Sequence, residues 1–364
     1  MIELHGVTKK YANQTAVDNL SLTIYEGEIT VIIGPSGCGK TTTLRMINRL
    51  INPTSGSIKV EGRDIKDTNV ESLRRGIGYV IQNVGLFPHM TVARNIATVP
   101  RLMGWSKEDR LKRVLELLDL VGLNPEDYKD KFPAQLSGGE AQRIGVARAL
   151  AANPPILLMD EPFGAVDPLN REVLQGEFLK IQKKLKKTVV FVTHDLDEAI
   201  RMADRILVMK EGQVVQYDSP EEILSHPADN FVRDFVGTNR ALKRLSRFSV
   251  EESYRKVSPV TEEAILDKKM IKSLEKSEFL WVVDYKQMIK GWVQAEYSEM
   301  NKRISEVMTI VPYNELGVHI DDSLKEALSK MLAQGVRTLP VIEKSGHLLG
   351  EIGLDDIQRR SGKE

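Results

Sequence analysis

The hydrophobic positions in the first two thirds of the chain form short β-rich runs separated by turns. Apolar, β-branched runs bounded by glycine, proline or asparagine are typical of strands. The predicted strands are residues 2–4, 20–24, 29–33, 57–60, 77–81, 156–159 and 188–192, with a hairpin-like pair within 204–215. Helical patterns lie between several of these runs, so the sequence predicts an α/β fold with a mixed sheet.

Residues 92–151 have a helical pattern, and we expect a helical subdomain at about residues 86–151. Leucine and valine recur there at spacings of three and four, which predicts an amphipathic helix with a buried stripe. The stripe consists of Leu111, Val114, Leu115 and Leu118. We assign this stripe to the protein core and not to a ligand site.

The composition changes after Gly237, so we predict one domain at 1–236 and a second region beyond it. Residues 237–248 form a basic run with apolar residues between the charges: Arg240, Lys243, Arg244 and Arg247. This linker is either a connecting helix with a solvated basic face or a surface that contacts anionic lipid. Residues 249–364 contain a degenerate repeat, because Val283 matches Ile342 and Gly291 matches Gly350 at the same offset.

Length, composition and charge limit the classes of function. The chain has 364 residues, 41% of them hydrophobic and 28% charged, which describes a soluble protein of two or three domains. Its net charge of zero gives no support for nucleic-acid binding, and we expect no nucleic-acid partner. We see no apolar run long enough for a membrane helix and no signal peptide at the start. One cysteine fits a reducing compartment.

The segment G-P-S-G-C-G-K-T-T at 34–42 follows a predicted strand and precedes a helical run. This is the context of a phosphate-binding loop, in which backbone N–H groups at a helix start surround the phosphates of a nucleotide. The predicted nucleotide-binding residues are Gly34, Ser36, Gly37, Cys38, Gly39, Lys40, Thr41 and Thr42. Lys40 would contact the β- and γ-phosphates and Thr41 would ligate Mg²⁺. Cys38 either lines the pocket or is buried beneath the loop.

Polar side chains follow three of the predicted strands. Asp160 and Glu161 end the run 156–159, which is the arrangement of an acid that holds Mg²⁺ and a second acid that polarises the attacking water. Gln82 follows 77–81 and is either polar surface or a contact to the metal or water. His194 follows 188–192 and is either structural or a ligand contact at the carboxyl edge of the sheet.

Leu136-Ser137-Gly138-Gly139-Glu140 opens a helical run. Ser137 and Glu140 make a capping box, which explains these two residues without a ligand. Paired glycines at a helix start are unfavourable unless something approaches closely, so a second phosphate-binding helix terminus is the alternative. Tyr11 is either an aromatic that stacks on adenine or a half-exposed tyrosine. The apolar loop 87–90 is either packed locally or contacts a partner.

Together these motifs resemble the ATP-binding subunit of an ABC transporter, in the family's order along residues 1 to about 236. The resemblance adds the loop 164–167, with Asp167 as a nucleotide-site residue. The chain departs from the family's pattern at Glu140, where glutamine is commoner. Residues 46–50, 78–82 and 85–89 resemble the subfamily that imports glycine betaine, carnitine, choline and similar quaternary amines. The alternatives within this class are an exporter ATPase and a permease-free ABC protein.

The resemblance implies a cytosolic ATPase at the membrane that works with other chains. Two copies would close head-to-tail around ATP and Mg²⁺, with the phosphate loop of one facing Ser137, Gly138 and Gly139 of the other. An integral membrane permease would contact Gln82 and the loop 87–90, and a substrate-binding domain would reside on another chain. Glu161 would be the general base, His194 would hold the γ-phosphate and water in line, and Gln82 would also reach the metal.

Residues 249–303 and 304–364 resemble a tandem of CBS repeats, an α+β regulatory module, with the first copy degenerate. The family's ribose-binding pair of Ser or Thr with Asp is Gly353 with Asp356 in the second copy and Gln294 with Tyr297 in the first. The resemblance therefore implies no adenine nucleotide in the usual pose. Cyclic di-AMP between two modules and a purely structural dimerisation role are the two alternatives.

Overall fold

The computed structural model describes residues 1–12, 14–82, 85–164, 166, 168–237, 240–274, 279–294, 302–310 and 316–361. The chain divides into two compact units, Met1–Gly237 and Thr238–Glu364. Each unit has its own hydrophobic clusters of buried side chains. Among the described residues, no helix has both the length and the apolar character that a membrane span needs.

The first unit alternates strands and helices. Its strands are β1 (Ile2–Tyr11), β2 (Gln14–Ile24), β3 (Ile29–Ile33), β4 (Ser55–Val60), β5 (Arg63–Asp64), β6 (Ile77–Val80), β7 (Ile156–Asp160), β8 (Thr188–Val192), β9 (Arg205–Lys210) and β10 (Gln213–Asp218). Its helices are α1 (Lys40–Ile47), α2 (Val70–Arg75), α3 (Val92–Ile96), α4 (Thr98–Leu102), α5 (Lys107–Leu120), α6 (Pro125–Tyr128), α7 (Gly138–Leu150), α8 (Pro168–Leu185), α9 (Leu196–Met202), α10 (Pro220–Ser225) and α11 (Asn230–Val236), with a 3₁₀ turn at Pro133–Gln135.

The central sheet has the order β10-β9-β3-β8-β7-β6 within the described residues, and only its β9–β10 pairing is antiparallel. All residues of β3, β7 and β8 are buried, which explains their continuous apolar runs. Because the parallel strands β3, β8, β7 and β6 are neighbours, their carboxyl ends lie at one edge. A second, antiparallel sheet has the order β2-β1-β4-β5. The predicted α/β class is confirmed.

The strands of the second sheet and helix α5 differ from the sequence expectation. β1 and β2 extend well beyond the predicted 2–4 and 20–24, because their outer residues are mostly half-buried or exposed and carry no apolar run. In α5 the buried residues are Val114, Leu117 and Leu118, while Leu111 is 50% exposed. Leu111 was therefore wrongly assigned to the core: it lies one turn before Val114, where α5 faces solvent.

The second unit contains two sheets with matching strand pairing. Its strands are β11 (Val260–Thr261), β12 (Phe279–Val283), β13 (Ile289–Gln294), β14 (Thr309–Ile310), β15 (Val318–His319), β16 (Thr338–Ile342) and β17 (Leu348–Gly353). Its helices are α12 (Arg240–Leu245), α13 (Lys268–Leu274), α14 (Ile304–Val307), α15 (Leu324–Gln334) and α16 (Leu354–Ser361), with a 3₁₀ turn at Val250–Glu252.

In both sheets a short strand pairs in parallel with a longer one, which then pairs antiparallel with the next. Val282 pairs with Gly291 in the first sheet, and Val341 pairs with Gly350 in the second. Both glycines are needed, because a Cβ would lie 2.0 Å from Thr309 O at Gly291 and 2.2 Å from a backbone oxygen at Gly350. The repeat in the sequence thus corresponds to a repeat in strand pairing.

The basic segment predicted as a linker is partly packed. Helix α12 lies against α15 and α16, and its Leu245 is 2% exposed within a core cluster of the second unit. Val250 belongs to the same cluster. At least residues 240–250 are therefore part of the second unit and not a free connection.

Candidate functional site

The phosphate loop lies between β3 and α1 and requires glycine at two positions. Gly34 and Gly39 have φ of 146° and 104°, and a Cβ would lie 2.1 Å from Met209 O and 2.4 Å from Ala16 O, respectively. At Gly37, also with positive φ, no described atom lies within 4 Å of the Cβ position, so this glycine faces open space. Backbone oxygens of β2 and β9 lie against one side of the loop, and the side that Gly37 faces is open.

Lys40 and Thr41 begin α1 and face the loop and the end of β7. Lys40 is 8% exposed, and its ammonium donates hydrogen bonds to Gly34 O at 2.8 Å and Pro35 O at 2.9 Å. Thr41 Oγ1 donates to Asp160 Oδ1 at 3.0 Å. A buried cation and a hydroxyl paired with a carboxylate at a helix start fit a triphosphate with a divalent metal, which prefers hard oxygen ligands.

Burial controls the protonation of Asp160. The residue is 6% exposed, and this burial raises the pKa of its carboxyl above the ordinary value. The hydrogen bond from Thr41 and the nearby Arg45 oppose that rise. A bound cation would favour the ionised form further.

Glu161 lies just past β7 with a φ of 46°, so the strand's alternation of faces does not continue to it. Its N–H donates to Val192 O at 3.0 Å, which fixes it against β8. Gln82 Nε2 donates to Glu161 Oε2 at 2.8 Å, and His194 Nδ1 lies 3.5 Å from the same oxygen. The structure thus brings together three side chains that the sequence placed at three different strand ends.

The segment 136–140 forms the start of α7 as predicted. Ser137 Oγ accepts from Glu140 N at 3.3 Å, and Glu140 Oε2 accepts from Ser137 N at 2.7 Å, so the capping box is present. Ser137 and Gly138 are exposed. The nearest described atom to a Cβ at Gly139 is Leu174 Cδ1 at 3.7 Å, an ordinary contact. The fold of this unit therefore does not require glycine at position 139.

Other predicted site residues have different surroundings. Tyr11 is 47% exposed, and Lys9 Nζ lies 4.9 Å from its ring centroid. Ser36 is exposed and Thr42 half-buried. Asp167 lies outside the described residues. Sequence reasoning did not find Tyr128, whose hydroxyl donates to Glu140 Oε1, because nothing in the local pattern connects these two positions.

Cys38 does not line the pocket with its side chain. It is 3% exposed within the core beneath the loop, and its Sγ lies 3.9 Å from Lys40 Nζ. Burial raises the pKa of this thiol, and the Lys40 charge only partly opposes the rise. The alternative that Cys38 is buried under the loop is therefore the correct one.

We expect Cys38 in the folded protein to react slowly with a maleimide at pH 7, because only the thiolate is nucleophilic and both burial and the raised pKa suppress it. The rate should keep rising about tenfold per pH unit beyond the ordinary thiol range. The measurement is labelling followed by mass spectrometry, with urea-unfolded protein as control. Equal rates in the folded and unfolded protein would contradict this prediction.

Four features of the first unit define an ABC-type ATPase: the parallel sheet, the phosphate loop, the acid pair at the end of β7, and helix α7, which begins with two glycines. The ABC transporter family matches residues 17–164, and the CBS domain family matches residues 304–363. The dimeric structure of a post-hydrolysis state of the ATP-binding cassette MJ0796 bound to ADP and Pi is similar, with a TM-score of 0.55 and 38% identity over 60% of this chain and 99% of that one.

Two relatives match nearly the whole chain. The glycine betaine/carnitine/choline transport ATP-binding protein OpuCA of Bacillus subtilis is 45% identical over 96% of this chain and 93% of its own. The osmoprotectant import ATP-binding protein OsmV of Salmonella typhimurium is 44% identical over 98% of this chain and 95% of its own. The chain belongs to this family of ATP-binding proteins of glycine betaine, carnitine and choline transport, and the predicted family is confirmed.

Proposed function

We propose that this chain is the ATP-hydrolysing subunit that powers import of a betaine-like quaternary amine through a separate membrane permease. The proposal rests on one observation. Four side chains lie together at the carboxyl edge of one sheet: Lys40, Thr41, Asp160 and Glu161. The near full-length match to relatives named for osmoprotectant transport supports the direction and the class of substrate.

The residues of the site suit ATP hydrolysis. Lys40 would exchange its two loop carbonyls for phosphate oxygens, and Thr41 with Asp160 would hold the metal, which would neutralise phosphate charge. Glu161 would accept the proton of the attacking water. Gln82 and His194 already contact its Oε2 and would orient that water and the γ-phosphate.

A second copy would complete the site. Ser137 and Gly138 are exposed at the start of α7, and position 139 has room within its own unit for a larger side chain. The absence of a side chain there is explained if phosphates bound to another copy approach this helix terminus. The similar cassette structure is dimeric, which supports a dimer of this chain, and we place the two copies head-to-tail.

The permease would contact a cleft of about 310 Å³ beside the loop 87–90. Phe87 is 40% exposed, while its backbone is held by the buried Asn95, which accepts from Phe87 N and donates to Phe87 O. Asn48 lines the cleft and has a buried Oδ1 for which the described part of the chain provides no hydrogen-bond donor. An exposed aromatic side chain on a loop whose backbone is fixed suits a protein partner.

This assignment places the chain on the cytoplasmic face of the membrane, with the substrate-binding domain on another chain. The test is reconstitution with the permease in proteoliposomes and measurement of ATP-dependent uptake of labelled glycine betaine, carnitine, choline and ergothioneine. Uptake of at least one quaternary amine is the expected result. Outward transport, or ATPase activity that needs no permease partner in the cell, would favour the exporter or permease-free alternatives.

The second unit would regulate transport through its CBS repeats. In the second repeat, Asp356 Oδ2 accepts from Gly353 N at 2.9 Å and lies 3.0 Å from Arg255 Nε. The carboxylate expected at a ribose is thus already paired within the chain, which argues against a nucleotide in each repeat. Cyclic di-AMP between two modules and a structural dimerisation role stay the two alternatives. In the first repeat Gln294 ends β13, and Tyr297 lies outside the described residues.

Contact of the basic run with anionic lipid stays a prediction. Arg240, Lys243, Arg244 and Arg247 are half-buried, and each has an interaction within the chain. A membrane would have to compete with those contacts, so any lipid effect should be weak and sensitive to salt.

Ending the chain at Gly237 should leave a folded, ATP-hydrolysing unit, because its core clusters contain only residues before that point. A chain that ends just before Val250 would instead keep helix α12 but lack the rest of the second unit's core, so Leu245 of α12 would lose its packing partners. If the second unit regulates, the shortened chain should lose the response of transport to ionic strength or cyclic di-AMP while maximal turnover stays similar. Wild-type responses to both in proteoliposomes would contradict regulation.

A further inference from the structure

Two loops carry the side chains that would act on the attacking water. Glu161 follows β7 and leads into the loop 164–167, where Gly164 N donates to Glu161 O at 3.2 Å. His194 lies between β8 and α9, and its Nδ1 is 3.5 Å from Glu161 Oε2. The side chain of His194 is 67% exposed, so packing around it does not fix its place. The spacing of the two loops therefore decides whether these side chains meet.

Arg171, the fourth residue of α8, connects the two loops. Its Nη2 donates to Val166 O at 3.0 Å in the loop after Glu161, and its Nη1 lies 3.6 Å from Asp195 Oδ2. A planar guanidinium serves two acceptors in fixed directions. Arg171 thus links the loop after Glu161 to the residue beside His194. Since His194 in turn contacts Glu161, these contacts close a ring.

The position of this cation is not explained by the stability of either helix. Helix α8 begins at Pro168, and a positive charge near the N-terminus of a helix is unfavourable because of the helix dipole. Asp195 is the N-cap of α9 without help from Arg171, since its Oδ1 accepts from Asp197 N and Glu198 N. Arg171 therefore adds a contact between loops that neither helix requires.

A buried contact one turn further along α8 supports the same arrangement. Gln175 Nε2 donates to Glu198 Oε1 at 3.1 Å, and both side chains are buried. Burial raises the pKa of the Glu198 carboxyl, while hydrogen bonds from the Thr193 hydroxyl and the Gln175 amide oppose that rise. Thr193 precedes His194 and Asp195 follows it, so contacts from α8 reach the residues on both sides of His194.

We propose that Arg171 is a positioning residue for ATP hydrolysis, which holds His194 and Glu161 at the spacing that the attacking water needs. The inference rests on the proposed function, in which Glu161 accepts the proton of that water and His194 orients it with the γ-phosphate. It deepens that function, because it gives a role in the chemistry to a residue outside the predicted nucleotide motifs.

The test is steady-state ATP hydrolysis by the full-length chain. Arg171→Gln should lower kcat about tenfold, the lower end of the effect of losing a hydrogen bond to a charged group, because the ion pair is partly exposed. The KM for ATP should change less than twofold, since Lys40, Thr41 and Asp160 are untouched. Arg171→Lys keeps the charge but has one ammonium for two acceptors, so we expect its kcat between those of the wild type and Arg171→Gln.

Arg201→Gln is the matched control. Arg201 Nη1 lies 3.9 Å from Glu172 Oε2 and joins the same two helices near the far end of α9 from His194. Turnover should stay within twofold of the wild type. The thermal midpoint separates positioning from stability, because a merely structural ion pair would lower the midpoint and leave kcat unchanged. That result for Arg171→Gln, or a rise in KM that accounts for the whole loss, would overturn the inference.

A cycle with His194→Ala tests the route of the effect. If Arg171 acts through His194, Arg171→Gln should lower the residual turnover of His194→Ala less than twofold. An equal loss in both backgrounds, or normal turnover in His194→Ala, would overturn the inference. In a Glu161→Gln background, Arg171→Gln should still form the ATP-bound dimer. Loss of that dimer would assign Arg171 to assembly and also overturn the inference.

If Arg171→Gln does not fold, Arg171→Lys decides. A lower kcat at unchanged KM supports the inference, whereas the kcat of the wild type overturns it and leaves the proposed function intact. Absence of ATP hydrolysis by the wild-type chain reconstituted with its permease would overturn the proposed function and this inference with it.

Discussion

Replacing Glu161 by glutamine is expected to reduce ATP turnover by roughly two to four orders of magnitude, the effect of losing a general base. Glutamine keeps the shape of the side chain and can still contact Gln82 and His194, so the site should stay assembled. Lys40, Thr41 and Asp160 are untouched, so ATP and Mg²⁺ should bind as in the wild type. The measurements are steady-state ATPase activity and equilibrium nucleotide binding.

The variant should also accumulate as an ATP-bound dimer, which sedimentation or size-exclusion chromatography would detect. The control is Glu108→Gln, an exposed residue in the first turn of α5, which should leave turnover unchanged. Near-normal hydrolysis by Glu161→Gln would remove Glu161 from the role of general base. Loss of nucleotide binding would mean that the glutamate supports the fold of the site and not its chemistry.

The parts of the site that the sequence predicted are those in which a buried strand delivers a polar residue to the sheet edge. Strands β3, β7 and β8 are buried on both faces, so their apolar runs are continuous and their ends are sharp. Asp160 ends β7, while Lys40 and His194 lie in the segments that follow β3 and β8, and the parallel arrangement brings all three to one edge. Local pattern and topology agree there, which is why the placement of these residues could be predicted, while their roles stay predictions.

Features that depend on distant contacts could not be decided from the sequence alone. Cys38 belongs to a motif that binds phosphate with its backbone, and only the packing of β2 and β9 behind the loop buries its side chain. The partner of Asp356 is Arg255, about a hundred positions earlier, and the pairing depends on the backbone bridge between Arg255 and Glu351. Such contacts leave no periodic trace in the sequence.

The acid pair shows how strand geometry limits a motif. Adjacent residues in a strand point to opposite faces, which would separate Asp160 from Glu161. Glu161 avoids this by adopting a left-handed φ, a conformation that costs roughly 1 kcal/mol or more in a non-glycine residue. The bond from Glu161 N to Val192 O secures that conformation, so β8 supports the geometry of the residue after β7.

Replacing Gly139 by aspartate should abolish ATP-dependent dimerisation and lower turnover by at least about a hundredfold, while leaving the fold intact. Within its own unit the new Cβ would make an ordinary contact of 3.7 Å with Leu174 Cδ1. Aspartate in the first turn of α7 interacts favourably with the helix dipole, so the thermal midpoint should stay the same or rise. The carboxylate would, however, occupy the space that phosphates of the second copy need and would repel them.

The comparison that isolates this effect is Gly176→Asp in helix α8, where no described atom lies within 4 Å of the Cβ position. Both variants exchange a helical glycine for aspartate, so both should fold, and only Gly139→Asp should lose dimerisation and turnover. Glu161→Gln alone should accumulate as an ATP-bound dimer. The double variant with Gly139→Asp should bind ATP at its phosphate loop and yet remain monomeric, which separates dimerisation from nucleotide binding. An ATP-bound dimer of that double variant would show that α7 does not meet the nucleotide of the second copy, and Gly139 would then need another explanation.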